Sequence, residues 1–247
     1  MNYIGMDIHK QFTVAVVKDE QGNKLAEDKF DNSEENFSIF LKAFPPQETK
    51  TVIESSSVWE YIYEILDSMG YVVKLANPVR TRAIAEARIK TDSIDASTLA
   101  DLLRANIVAE SYIPPKDVRR LREITRERKT FVKQTTQIKN RIHAILTRRG
   151  VKIPTATLCK KTLIWLREKF AEDDVFIHYL NLLQYHETEL KPIDNKISSL
   201  TEKNKDAKLL TTIPGIGPTR ALDIVAEIGE INRFPSANRL CSYAGLV

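Results

Sequence analysis

The sequence predicts an α/β domain followed by an all-helical portion. Three observations predict it. Residues 1–105 alternate strand-like and helix-like runs, residues 116–149 and 176–200 carry a seven-residue repeat, and a Gly/Pro turn separates two apolar helical patterns near the end. The first pattern calls for a mixed sheet with helices on its faces, the second for an antiparallel coiled-coil hairpin or dimer arm, and the third for a helix-hairpin-helix. The expected divisions are 1–113, 114–205 and 206–247.

In order along the chain, Tyr3–Ile8 and Gln11–Lys18 read as strands, Gln21-Gly22-Asn23 as a turn, and Lys24–Phe30 as a third strand of a meander. Asn32 with Glu35 resembles a helix start, and Phe37, Phe40 and Leu41 give that helix an apolar face. Thr51–Ile53 is a short buried strand ending at Glu54, and a capping box at Ser57 and Glu60 opens a helix that stops at Gly70. Tyr71–Ala76 is a further strand, Asn77-Pro78 a turn, and two helices follow. In the repeat region, Ile124, Phe131, Ile138 and Ile145 form one row beside Leu121, Arg128, Thr135 and Ile142. Phe176, Leu183, Leu190 and Ile197 form another beside Tyr179, His186, Ile193 and Leu200. Pro192 interrupts that second helix, so a kink or a new start is expected. Ser236 caps a short final helix.

Composition narrows the class. The 247 residues are 43% hydrophobic and 28% charged, ordinary for a soluble globular protein. Cys159 and Cys241 offer neither a disulfide framework nor metal spacing, and the start has no signal-peptide pattern, so a cytoplasmic protein with no membrane partner is expected. His9, His143, His178 and His186 show no zinc spacing, and Trp59 and Trp165 read as core. The net charge of +4 is uneven: residues 114–150 hold twelve Lys/Arg against three Asp/Glu, a net +9. A solvated face normally mixes signs, so this excess points to a polyanion. Its candidates are Arg119, Arg120, Arg122, Arg126, Lys129, Lys133, Lys139, Arg141, Arg148 and Arg149, with Arg128 on a core row suited to an internal partner. In "IPGIGPTR", Gly215 and Gly217 let the backbone approach a phosphate, with Thr219 and Arg220 at the following helix start.

The acidic residues carry the chemistry. In "IKTDSIDASTLADLLRA", Thr91 is an N-cap, and Asp92, Asp95, Leu99 and Leu102 share one helical stripe. The leucines must face the sheet, which turns both aspartates inward at its end. First-turn acids suit the helix dipole, which accounts for Asp92 but not for Asp95 on an apolar stripe. Asp7 lies late in the first strand and Glu54 at a carboxyl strand end, where open α/β sheets place ligand sites. If those strands are parallel neighbours, four carboxylates converge and require cations between them. Hard oxygen ligands favour Mg²⁺ or Mn²⁺, and two such ions about 4 Å apart clamp both oxygens of a phosphodiester transfer.

This arrangement resembles the RuvC-like, ribonuclease-H-type nuclease fold. More narrowly, "YIGMDIHK", "TVIES", "KTDSIDASTLADLLR" and "LLTTIPGIGPTRALDIVAEIG", followed by "SYAGL", resemble the insertion-sequence-110 transposases, a family that includes the Piv/MooV DNA invertases. The resemblance implies that Asp7, Glu54, Asp92 and Asp95 form a catalytic DEDD tetrad binding Mg²⁺ or Mn²⁺. It implies DNA and a structured guide RNA as partners and recombination as the activity. It also implies a serine nucleophile shortly beyond "AGL", which would make this chain the N-terminal portion of a longer enzyme. Ser56 and Ser57 stand where the family often has Thr-Gly. A homodimer or higher homo-oligomer is expected from the heptad arm. The alternatives are a Holliday-junction-resolvase-like nuclease and a non-catalytic nucleic-acid scaffold. A sugar-kinase-like ATPase fails, because Ile8-His9-Lys10-Gln11 follows Asp7 in place of a Gly-Thr/Ser phosphate loop.

Overall fold

The computed structural model describes residues 1–84, 91–155 and 157–246. Ile89 and Lys90, at the head of the acidic motif, and Val247 lie outside them. The chain divides into two compact units, Met1–Ile113 and Pro114–Val247. No helix among the described residues is long and apolar enough to cross a membrane.

The first unit runs β1 (Asn2–Ile8), β2 (Phe12–Lys18), β3 (Lys24–Asp31), α1 (Glu34–Leu41), β4 (Thr49–Glu54), α2 (Trp59–Ser68), β5 (Val72–Ala76), α3 (Pro78–Ile84) and α4 (Asp92–Arg104). The strands form one mixed sheet in the order β3-β2-β1-β4-β5. β1–β2 and β2–β3 are antiparallel, β1–β4 and β4–β5 parallel. The expected parallel pairing of the Asp7 and Glu54 strands is therefore present. Both faces of the sheet are covered, which is why β1 and β2 read as near-continuous apolar runs. On one face Ile4, Met6, Ile8, Ala15, Val17 and Ile53 pack with Phe37, Leu41, Ile62 and Leu66 of α1 and α2. On the other, Val52 and Ala76 meet Leu99 and Leu103 of α4, and Val14 and Val16 meet Ala96.

The approach of α4 is unusually close at Gly5. A Cβ there would collide with the Ala96 carbonyl oxygen and the Ala100 backbone nitrogen, and would lie 2.9 Å from Leu99 Cβ. Only glycine admits a helix backbone at that distance. Lys18, 8% exposed at the end of β2, holds Asp101 of α4 at 2.5 Å, and Arg104 Nη1 donates to the Glu20 carbonyl. With Asp101 near Lys18 (paired to Tyr3), Ala96 against Gly5 and Asp92 near His9, α4 runs antiparallel to β1.

Two helix starts differ from expectation. α1 is capped by Ser33, whose Oγ accepts from Asn36 N, because Asn32 is spent elsewhere: its side chain accepts from Thr13 Oγ1 and donates to the His9 carbonyl. The capping box at Ser57 and Glu60 does not form. Ser55 N still donates to the Ala76 carbonyl, and Ser56 Oγ accepts from Val58 N, so a turn intervenes and α2 begins at Trp59 with no side-chain cap.

The second unit holds α5 (Lys116–Arg148), α6 (Lys160–Lys169), α7 (Asp174–Lys203), α8 (Lys205–Leu210), α9 (Pro218–Ile228) and α10 (Ala237–Tyr243). Arg128 pairs with Asp194, Lys139 with Glu187 and Arg149 with Asp173, so α5 and α7 are antiparallel. Ile138, Ile142 and Ile145 pack with Phe176, Leu180 and Leu183, while Ile124 and Ile197 share a second core with Ala207, Ala221 and Leu222 of α8 and α9. α7 continues through Pro192 with no new start there. Pro192 and Thr188 are both exposed, so the hydrogen bond that the proline cannot donate is missing on a solvent-facing turn.

Gly5→Ala is expected to lower the unfolding free energy by about 3 kcal/mol, since the colliding atoms are backbone and cannot rotate away. Urea denaturation checks this; a loss within ~0.5 kcal/mol would show that α4 is not seated on Gly5.

Candidate metal and nucleic-acid sites

Gly5 faces α4, so by strand alternation Asp7 does too. Val52 also packs on the α4 side, so Glu54, two residues on, projects from the same face. The register pairs Met6 with Ile53, so Asp7 and Glu54 are the next residues along two adjacent parallel strands. Asp92 and Asp95 occupy the first turn of α4 behind the Thr91 cap, whose Oγ1 accepts from Ile94 N at 3.2 Å.

Asp7 is 9% exposed. Burial first, and then the charges of Asp92 and Asp95, push its carboxyl above the usual range, while His9 pulls it down. His9 lies in the β1–β2 turn, where its backbone N donates to the Phe12 carbonyl. Its Nε2 is 3.1 Å from Asp7 Oδ2 and 3.5 Å from Asp92 Oδ1. Among the described residues, Asp7, His9 and Asp92 form the group whose ligand atoms lie within 4.8 Å of one another. Glu54 and Asp95 fall outside that tight group, although the Asp95 charge reaches Asp7. The donor set fits a divalent cation: a buried carboxylate strained by two further carboxylates is relieved by positive charge among them.

Spacing alone does not single out His9, because one of its two carboxylate neighbours, Asp92, comes from a distant helix. The available signal was Asp-x-His, which in a strand puts both side chains on one face.

In the second unit the basic residues divide by partner. Arg119 is buried, and Arg120 pairs with Glu123. Arg122 donates to the Ala226 and Glu227 carbonyls at the end of α9, at 2.7 and 2.9 Å. Arg126 forms two bonds to the Glu227 carboxylate, holding its pKa down, and Lys129 pairs with Asp223. Lys139 faces Glu187 of α7, and Arg149 faces Asp173 at the N-cap of that helix. Lys133, Arg141 and Arg148 are exposed on α5 with no ion pair among the described residues. Gly215 has φ +87°, Gly217 caps α9, and a Cβ at either would meet open space. Thr219 is half-buried in the first turn of α9, and Arg220 Nη1 donates to the Gly215 carbonyl.

A mixed sheet with Asp7 and Glu54 at the carboxyl ends of adjacent parallel strands, and Asp92 and Asp95 at the start of the helix that covers them, is the arrangement expected of a DEDD-type domain. Comparison with known proteins agrees. Residues 4–149 match a transposase domain of the DEDD IS110 type, and residues 207–247 match the domain described as "Transposase IS116/IS110/IS902 family". The chain belongs to the IS110 family of transposases. It is 24% identical over 241 residues to the transposase for insertion sequence element IS1533 of Leptospira borgpetersenii, covering 92% of this chain and 70% of that protein. It is 27% identical over 254 residues to the pilin gene-inverting protein of Moraxella bovis, covering 99% and 71%. The transposase for IS1111A of Coxiella burnetii is 23% identical over 210 residues, 79% of this chain and 56% of that one.

The raised Asp7 pKa has a sign that can be tested. A carboxyl raised on folding stabilises only below its unfolded value and loses that contribution as pH climbs through the folded value, so ionised Asp7 destabilises the ion-free chain at pH 7. In EDTA at pH 7, Asp7→Asn is expected to raise the melting temperature, with the gain shrinking as pH falls towards about 4 and gone below it. A drop in melting temperature at pH 7 would contradict the electrostatic account.

Proposed function

We propose that this chain performs divalent-metal-dependent DNA strand cleavage and exchange as part of a mobile-element recombinase guided by a structured RNA. The observation that carries the catalytic half is the buried Asp7 with Asp92 and Asp95 gathered around it. Asp7, Glu54, Asp92 and Asp95 are the residues proposed to hold Mg²⁺ or Mn²⁺, two ions in all. Bound there, the ions would supply Lewis-acid stabilisation of charge on the transferring phosphate. The protein's own part is positioning. Gly5 and the Lys18–Asp101 pair seat α4, so Asp92 and Asp95 meet Asp7 at a fixed place, and Glu54 is delivered by the neighbouring strand. The inversion activity named for the Moraxella relative supports recombination over simple cleavage.

The antiparallel α5 and α7, with seven-residue apolar rows, are read as a coiled-coil arm whose exposed cations contact nucleic acid, and homodimerisation through such an arm is part of the proposal. Lys133, Arg141 and Arg148 are the strongest phosphate contacts, since acidic neighbours within the unit already engage most of the others. α8, the Pro214–Gly217 turn and α9 are read as a helix-hairpin-helix, with Gly215, Gly217, Thr219 and Arg220 facing phosphate.

Two measurements test this. Introduced into the full-length recombinase, Asp7→Asn and Asp92→Asn should each abolish Mg²⁺-dependent recombination while retaining nucleic-acid binding; activity near wild type in either would refute the tetrad. Charge reversal of Lys133, Arg141 and Arg148 together should flatten the log Kd against log salt slope by about 2–3. An unchanged slope would place the nucleic acid elsewhere.

A further inference from the structure

The family-type reading of the acidic site uses oxygen ligands alone, yet the side chain that hydrogen-bonds Asp7 is an imidazole. Neighbouring ligand atoms around an octahedral ion with bonds near 2.1 Å stand about 3 Å apart. His9 Nε2 lies 3.1 Å from Asp7 Oδ2 and 3.5 Å from Asp92 Oδ1, so it stands where an adjacent ligand would stand. Its ring is held there. It stacks on Phe12 at 4.5 Å with an interplanar angle of 30°, and the Lys29 ammonium lies 3.7 Å from the Phe12 centroid. The His9 carbonyl accepts from Asn32 Nδ2 at 2.7 Å, and Asn32 is itself fixed by Thr13. The stacking fixes the plane of the ring, and the Asn32 bond fixes the turn backbone that carries it.

We infer that His9 Nε2 is a direct ligand of one divalent ion together with Asp7 and Asp92, giving a nitrogen-containing donor set that favours Mn²⁺ over Mg²⁺. Imidazole suits transition ions, whereas Mg²⁺ prefers oxygen throughout. The inference rests on the divalent-ion reading above and adds to it the ligand atom and the ion preference. The 3.1 Å contact is also a hydrogen-bond length, so the experiment has to separate a ligand from a group that only orients Asp7.

Pulsed electron paramagnetic resonance of Mn²⁺ on the full chain does so, using histidine labelled with ¹⁴N or ¹⁵N. The expected result is an imidazole-nitrogen coupling to Mn²⁺ that follows the label and disappears in His9→Gln. That variant should bind Mn²⁺ about tenfold more weakly and Mg²⁺ nearly unchanged. The inference is overturned if Mn²⁺ binds in a manner lost on Asp7→Asn yet shows no nitrogen coupling, or if the coupling persists in His9→Gln. If Asp7→Asn leaves Mn²⁺ binding intact, the divalent-ion reading itself fails and takes this inference with it.

Discussion

Helix α4 reaches the acidic site only because β1 carries no side chain at Gly5. With its Ala96–Ala100 backbone against that residue, the helix lies too close to the sheet for any other residue to fit. The same seating decides where its first turn falls. Thr91 caps the helix, so Asp92 and Asp95 begin it, and the antiparallel course over β1 delivers them to the end of the strand where Asp7 stands. The Lys18–Asp101 pair holds the far end. An ion pair with its lysine buried is a poor source of net stability, but it fixes the rotation of the helix about its axis, because a slip would leave Lys18 buried without its partner.

The site is thus an electrostatic load carried by packing. Three aspartates lie within mutual reach, one of them buried, and the sheet's apolar cores on both faces hold them there. Much of this was legible from residues. Thr91, Asp92 and Asp95 reveal themselves by cap chemistry and helical spacing, and Glu54 by its place at the end of an apolar strand. The approach of His9 to Asp92 was not legible in the same way, because it depends on a helix that begins more than eighty residues later. Asn32 misled for a related reason: a good N-cap residue by type, it is claimed by Thr13 and the His9 carbonyl, and Ser33 takes the cap.

The second unit teaches a different lesson about charge. Its excess of arginine and lysine is plain in the sequence, but which cations are available depends on where the acids return. Glu227 is the hub: its carboxylate binds Arg126, and its carbonyl accepts from Arg122 and from Tyr243 Oη. Arg122 therefore closes the C-terminal end of α9, which the helix dipole favours, Arg126 ties the Glu227 side chain to α5, and Tyr243 brings in α10. Arg128 sits on the expected core row and meets Asp194, as its position there required. Heptad counting located the helices; only the packed structure separates cations that hold the unit together from those facing outward.

The central claim is that α4 sets Asp92 beside Asp7 to share a divalent ion. Anomalous diffraction from crystals of the chain grown with Mn²⁺ tests it most directly. The account predicts a manganese peak within bonding distance of both the Asp7 and Asp92 carboxylates. A manganese peak bound elsewhere, or these two carboxylates turned apart with no ion between them, would contradict it.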